Sequence, residues 1–200
     1  MRTTGDTRAR ILTAATELFR RQGYAATGMK QIVAEAGAPY GSAYHFFPGG
    51  KAQLGEEVIR TSGAAYLDLI AQLFPEPGPR ADPALATAEA FTAAAVTLRE
   101  LDYADPCPVA TIALEVASTN ETLRGAAAEV FDSWIDGLAA YYYSCGIARP
   151  AARDIATSVI GLLEGAFMLG RTARSPQPVL AAATAAAAVV RAMRAPSTEA

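Results

Sequence analysis

The stretch from Thr27 to Lys51 reads T-G-M-K-Q-I-V-A-E-A-G-A-P-Y-G-S-A-Y-H-F-F-P-G-G-K, and its punctuation decides the fold. Met29, Ile32, Val33 and Ala36 recur at three and four, which places one apolar stripe along a short helix. Thr27 is suited to cap that helix, and Gly37 to the left-handed turn that ends it. A second short helix follows over about Tyr40 to Phe46, before Pro48-Gly49-Gly50 breaks the chain. Two short helices around a tight glycine-containing turn make a helix-turn-helix, whose second member enters a major groove. The outward face expected of that second helix, Tyr40, Gly41, Ser42, Tyr44 and His45, is polar, aromatic and nearly uncharged. Hydroxyls of this kind bond phosphates or base edges, and Gly41 admits close approach of the backbone. Phe46 and Phe47 are placed to plug this head onto its neighbouring helices. Lys51, opening the next helix, adds an ammonium to the free N–H groups there as a phosphate clamp, and the Thr27 hydroxyl can serve in the same way. Part of Tyr44 can equally belong to the core.

On either side of this stretch the periodicity remains helical. Ile11, Leu12, Ala15, Leu18 and Phe19 predict an amphipathic helix over 7–22 that stops near Gly23. A long helix runs from the Gly49-Gly50 break to about Leu73, and Pro75, Pro77, Gly78 and Pro79 form a stiff loop. Asp82-Pro83 is a cap followed by proline at the first helical position. Asn120 caps a helix that carries Leu123, Ala127, Val130, Phe131, Trp134, Leu138 and Tyr141 on one stripe. Pro150 opens the next helix, and 175–178 the last. No window of alternating β-branched residues supports a sheet. The expectation is an all-α chain of about nine helices. A three-helix DNA-binding head spans 1–50, and a helical ligand-binding and dimerisation body spans 51–200.

Composition agrees with that division. The 200 residues are 52% hydrophobic and 18% charged, which excludes a disordered chain. The net charge of −3 hides an asymmetry. Residues 1–51, Arg2 included, hold seven Lys/Arg against three Asp/Glu, and the remainder hold ten against seventeen. A basic head on an acidic body fits a head that meets a polyanion. No run is long and apolar enough to span a membrane, and the N-terminus lacks a signal-peptide core, so a soluble cytoplasmic protein is expected. Two cysteines and one histidine leave no ordinary zinc site, and no cofactor is expected. Cys107 lies between Pro106 and Pro108, with Asp102 and Asp105 nearby to oppose a thiolate.

The last two helices are apolar on more faces than one chain of this length covers. The segment 155–170 and the alanine-rich segment 179–193 therefore predict a twofold homodimer packed through both. The middle helices supply apolar and aromatic candidates for an effector pocket: Phe91, Leu98, Ile112, Phe131, Trp134, Leu138, Tyr141, Phe167 and Met168. Glu115 and Glu164, in apolar surroundings, are candidates to orient a ligand's cation or hydroxyl. The same aromatics serve equally well as core filling.

The segment from about Ala9 to Leu54 resembles the DNA-binding head of the TetR/AcrR family of bacterial transcriptional regulators. The features that carry the likeness are A-A-T-E-L-F-R-R-Q-G-Y, Thr27, Q-I-V-A-E-A-G, G-S-A-Y-H-F-F and K-A-Q-L. The P-G-G-K junction, C-P-V-A-T-I-A-L-E and L-L-E-G-A resemble the LmrA/YxaF-like subgroup. The resemblance implies a homodimer on a palindromic operator of double-stranded DNA, acting as a repressor released by a small molecule. It implies backbone contacts from Thr27, Tyr44, His45 and Lys51, and base reading by Pro39, Tyr40, Gly41 and Ser42. A helical enzyme or carrier with an incidental basic head, and an architectural DNA-binding protein, are the competing classes. The first needs a polar catalytic cluster, and the second a more basic surface.

Overall fold

The computed structural model describes residues 4–78, 81–104 and 107–194. Expectations that rest on Arg2, Pro79, Asp105 and Pro106 lie outside these. Among the described residues there are nine helices and no strand: α1 Thr4–Gln22, α2 Met29–Glu35, α3 Tyr40–Phe46, α4 Gly50–Leu73, α5 Pro83–Glu100, α6 Pro108–Val116, α7 Glu121–Ser144, α8 Arg149–Ala173 and α9 Gln177–Arg194. None of them is long and apolar enough to cross a membrane.

The chain divides into two compact units, Met1–Ala65 with Pro106–Phe131, and Tyr66–Asp105 with Asp132–Ala200. In the first unit, α1, α2 and α3 close around Ile11, Ala15, Phe19, Ile32, Val33, Ala43 and Phe47, all buried. The stripe read from the sequence is the face that packs. α6 adds Val109, Ile112 and Val116 to this unit, and the first half of α7 adds Leu123. Cys107 is the N-cap of α6, its sulfur accepting the Ala110 N–H at 3.4 Å. Buried at that post, it is a structural cap.

One local expectation needs correction. Thr27 does not cap α2; the N-cap is Gly28, with no side-chain hydrogen bond. The Thr27 hydroxyl donates backward to the Gly23 carbonyl at 2.7 Å and accepts from Gln22 Nε2 at 3.0 Å. A threonine four residues beyond a carbonyl reaches it as readily as it reaches forward, and here the backward bond wins.

In the second unit α5 packs along α9, and α9 along α8. Phe91, Leu98, Leu138, Tyr142, Ile155, Val159, Val179 and Val190 form its core. Asp82 caps α5, accepting from Ala84 N at 3.0 Å and Leu85 N at 3.4 Å, as Asp82-Pro83 predicted. A buried polar pair crosses this core. Thr87 Oγ donates to the Pro83 carbonyl at 2.7 Å, which leaves the Tyr142 hydroxyl, also at 2.7 Å, to donate to Thr87. Burial pushes the Tyr142 phenol up from its ordinary pKa, so the pair stays neutral. Thr87→Val strands that hydroxyl and is expected to cost about 1–3 kcal/mol, whereas Tyr142→Phe costs less because no donor is left unpaired. Urea unfolding of the two variants measures the difference. Equal costs would remove the assigned direction of the bond.

Candidate nucleic-acid interface

The packing of α2 and α3 against α1 is set by a short network. Gly37 takes φ +57°, where a side chain is strained, and this turns the chain from α2 toward α3. Arg10 on α1 donates to the carbonyls of Ala36, in a short hydrogen bond, and Gly37, at 3.1 Å. The carbonyls left over at the C-terminus of α2 are thereby satisfied by a cation, the charge that end of a helix favours. Gln22 and Gln31 exchange amide hydrogen bonds of 2.8 and 3.1 Å, tying the end of α1 to α2. Arg8 stacks over the Phe47 ring, 5.1 Å from its centroid, and pairs with Glu57 at 2.5 Å. Sequence reading missed Arg10, Gln22 and Gln31. Their partners lie outside any periodic pattern.

α3 exposes most of the face expected to point outward. Ala43 faces inward and is fully buried, and the C-cap Phe47 is buried behind it. Pro39, Tyr40, Gly41, Tyr44 and His45 are exposed, and Ser42 is half-buried. Tyr40 and Tyr44 are 46% and 47% exposed, too much for large aromatics that serve the core. Their rings meet edge-on at 5.7 Å, and the hydroxyls lie 3.5 Å apart. The Tyr40 hydroxyl beside it holds the Tyr44 phenol above its ordinary pKa. The Tyr44 hydroxyl therefore remains a hydrogen-bond donor at neutral pH.

Lys51 lies at the start of α4 with its ammonium 4.3 Å over the Tyr24 ring and 3.3 Å from the Ala25 carbonyl. Partial burial pulls it below the ordinary lysine pKa, and the charge of Glu115 pulls it back up. Thr27 is 1% exposed, its hydroxyl already engaged.

The effector candidates are divided. Ile112, Glu115 and Phe131 belong to the first unit, and the rest to the second. Phe91, Leu98, Leu138 and Tyr141 are buried in one cluster with Phe167 packed against it. Trp134 is buried against the Tyr66 ring at 5.4 Å. Glu164 is half-buried, and Met168 is 61% exposed. Glu115 does not stand open to a ligand: its two oxygens take the backbone N–H groups of Tyr24 and Ala25.

Two short helices, α2 and α3, around the Gly37 turn, with the outer face of α3 exposed and helices throughout the rest of the described residues, define a helix-turn-helix class. Residues 11–58 match the bacterial regulatory proteins of the tetR family, and residues 83–185 match the C-terminal domain of LmrA/YxaF-like transcriptional regulators. The HTH-type transcriptional regulator YxaF of Bacillus subtilis is 36% identical over 191 residues, covering 96% of this chain and 98% of its own. LmrA of the same organism is 35% identical over 183 residues, covering 88% of this chain and 92% of its own. Among solved structures, a TetR regulator from Chloroflexus aurantiacus is 27% identical with a TM-score of 0.75, covering 96% of this chain and 97% of its own. The regulatory protein TetR from Rhodobacter sphaeroides superposes at a TM-score of 0.79 with 20% identity, covering 90% and 97%. This chain belongs to the TetR family of bacterial transcriptional regulators, on its LmrA/YxaF-like branch. The family is one of DNA-binding regulators, not of enzymes.

Proposed function

We propose that this protein is a cytoplasmic repressor that binds a palindromic operator as a twofold dimer and is released by a small amphipathic or aromatic effector. The observation that carries the DNA-binding part is the outward face of α3, where two large tyrosines stand in solvent above a fully packed inner face. In this reading Tyr40, Gly41 and Ser42, with Pro39 at the helix cap, read base edges. Tyr44, His45 and Lys51 hold phosphates. Thr27 acts beside them through the turn it braces, since its hydroxyl is spent inside the head. The functional boundary falls near residue 50, where α4 begins.

Dimerisation is assigned to α8 and α9. Met168 and Leu169 on α8 are 61% and 57% exposed, and Ala181, Thr184, Ala185 and Ala188 face outward on α9. Small residues let a partner helix approach closely, while two long apolar side chains supply the area it covers. The effector reading rests on the apolar interior of the second unit, where Phe91, Trp134, Leu138, Tyr141 and Phe167 supply aromatic and aliphatic walls and Glu164 a carboxylate. An effector that prefers the non-binding state by on the order of 1–3 kcal/mol or more releases the DNA.

The test is binding to a duplex that the protein itself selects from a randomised library. Lys51→Ala is expected to weaken binding to selected and unrelated duplexes alike and to reduce the salt slope by about one. Tyr40→Ala or Ser42→Ala is expected to cost about 1–3 kcal/mol on the selected duplex only and to change which sequence is preferred. If all three variants bind like the wild type, the assignment of this face fails.

A further inference from the structure

We propose that Glu115, on α6, is a positioning residue for DNA engagement: its carboxylate holds the turn between α1 and α2 in the shape that seats Lys51. The inference rests on the reading of Lys51 as a phosphate contact. Its apolar sequence neighbours mark Glu115 as a candidate to orient a ligand, but its geometry gives it another partner. Oε1 accepts the Tyr24 N–H at 2.9 Å and Oε2 the Ala25 N–H at 2.6 Å. Two consecutive backbone amides are thus held by one anion, each oxygen accepting one hydrogen bond. Charge-assisted bonds of this kind are the shorter and stronger class. Gly23 makes the approach possible: a Cβ there would lie 2.3 Å from Oε1.

The same dipeptide is gripped from its other side. The Ala25 carbonyl accepts from Lys51 Nζ at 3.3 Å, and the Lys51 ammonium lies over the Tyr24 ring. The Tyr24 ring in turn packs on Phe19, 5.1 Å between centroids, and crowds the α4 backbone at Gly55. Tyr24-Ala25 is therefore a strut with an anion at its amides and a cation at its carbonyl and ring. The two charges reinforce each other through the peptide between them, and Glu115 also acts directly on Lys51. The carboxylate is not what seats α6, because Val109, Ile112 and Val116 are buried without it. What it fixes is the turn, and with the turn the direction in which the Lys51 ammonium points.

The sign of the effect separates positioning from plain charge. A carboxylate near DNA repels phosphates, so deleting it should tighten binding if charge is all that matters. Positioning predicts the reverse. Glu115→Gln keeps the shape but sets an amide NH2 against one of the two N–H groups, and Glu115→Ala removes the group altogether. Both variants are compared with Lys51→Ala and with the double variant Glu115→Gln/Lys51→Ala on the library-selected duplex. Amide hydrogen exchange is followed in the free proteins.

Exchange at Tyr24 and Ala25 is expected to rise about tenfold or more, with Ile112 and Val116 unchanged, because the lost bonds are charge-assisted. Affinity for the duplex is expected to fall about tenfold in Glu115→Gln and in Glu115→Ala, although a negative charge has gone. On the Lys51→Ala background the same change should alter affinity less than about twofold. Unchanged or tighter binding by both Glu115 variants overturns the inference, as does an undiminished loss without Lys51. If Lys51→Ala itself leaves binding intact, the phosphate-contact reading of Lys51 has failed, and the inference falls with it.

Discussion

Phe47→Ala is expected to unfold the DNA-binding head. The ring is fully buried where α3 ends, and Arg8 stacks over it from α1. Truncation removes the apolar area of the ring and leaves a cavity between short helices. Such changes cost about 3–5 kcal/mol in packed cores. α2 and α3 have seven residues each and no side-chain caps, so tertiary packing is nearly all that keeps them helical. A loss of that size is comparable with the whole stability of a small domain. Urea unfolding should show the deficit, and DNA binding should vanish at every salt concentration. A cost below about 1 kcal/mol would mean that Phe47 is not the plug of this head.

The second large effect involves no core residue. Leu169→Glu alters a side chain that is 57% exposed in the single chain, so the fold itself should tolerate it within about 0.5 kcal/mol. In the proposed dimer the same position is covered, and the twofold axis doubles every substitution. An unpaired buried charge costs about 3–5 kcal/mol, so dimerisation should weaken at least a hundredfold. Sedimentation should find monomers at micromolar concentration, with the helical circular dichroism unchanged. Operator affinity should fall too, because two heads must reach half-sites about 34–36 Å apart. A variant that remains dimeric moves the interface off this face of α8.

How far the sequence could be read depended on whether a signal was local. The stripe of Ile11, Ala15, Leu18 and Phe19, the turn at Gly37, the break at Pro48, and the caps at Asp82 and Asn120 each act within about one helical turn. The nine helices of the described residues agree in number with the expectation built on such features. Thr27 shows where local rules stop: a residue well suited to capping forward bonded backward, and propensity alone does not choose between the two. The contacts that shape the turns on either side of α2 are long-range and polar. Arg10 reaches carbonyls 26 and 27 residues away, and Glu115 reaches amides 91 and 90 residues away. Neither leaves a periodic trace. Glu115 looked like a ligand-orienting group because its neighbours in sequence are apolar. Its partners are backbone N–H groups, which no sequence displays. The outward exposure of Tyr40 and Tyr44 was legible because α3 is a single turn-bounded helix. Core filling and pocket lining use the same residue types, so the proposed effector site leaves no distinguishing trace in the sequence.

In the proposed complex α3 lies in the major groove, one copy in each of two successive half-sites. Methylation interference on the library-selected duplex tests it most directly, because guanine N7 lies in the major groove and adenine N3 in the minor groove. Methylation at guanine N7 is expected to block binding at two symmetric clusters, centred about one helical turn or a whole multiple of turns apart. Interference confined to adenine N3, or at neither position, would contradict it.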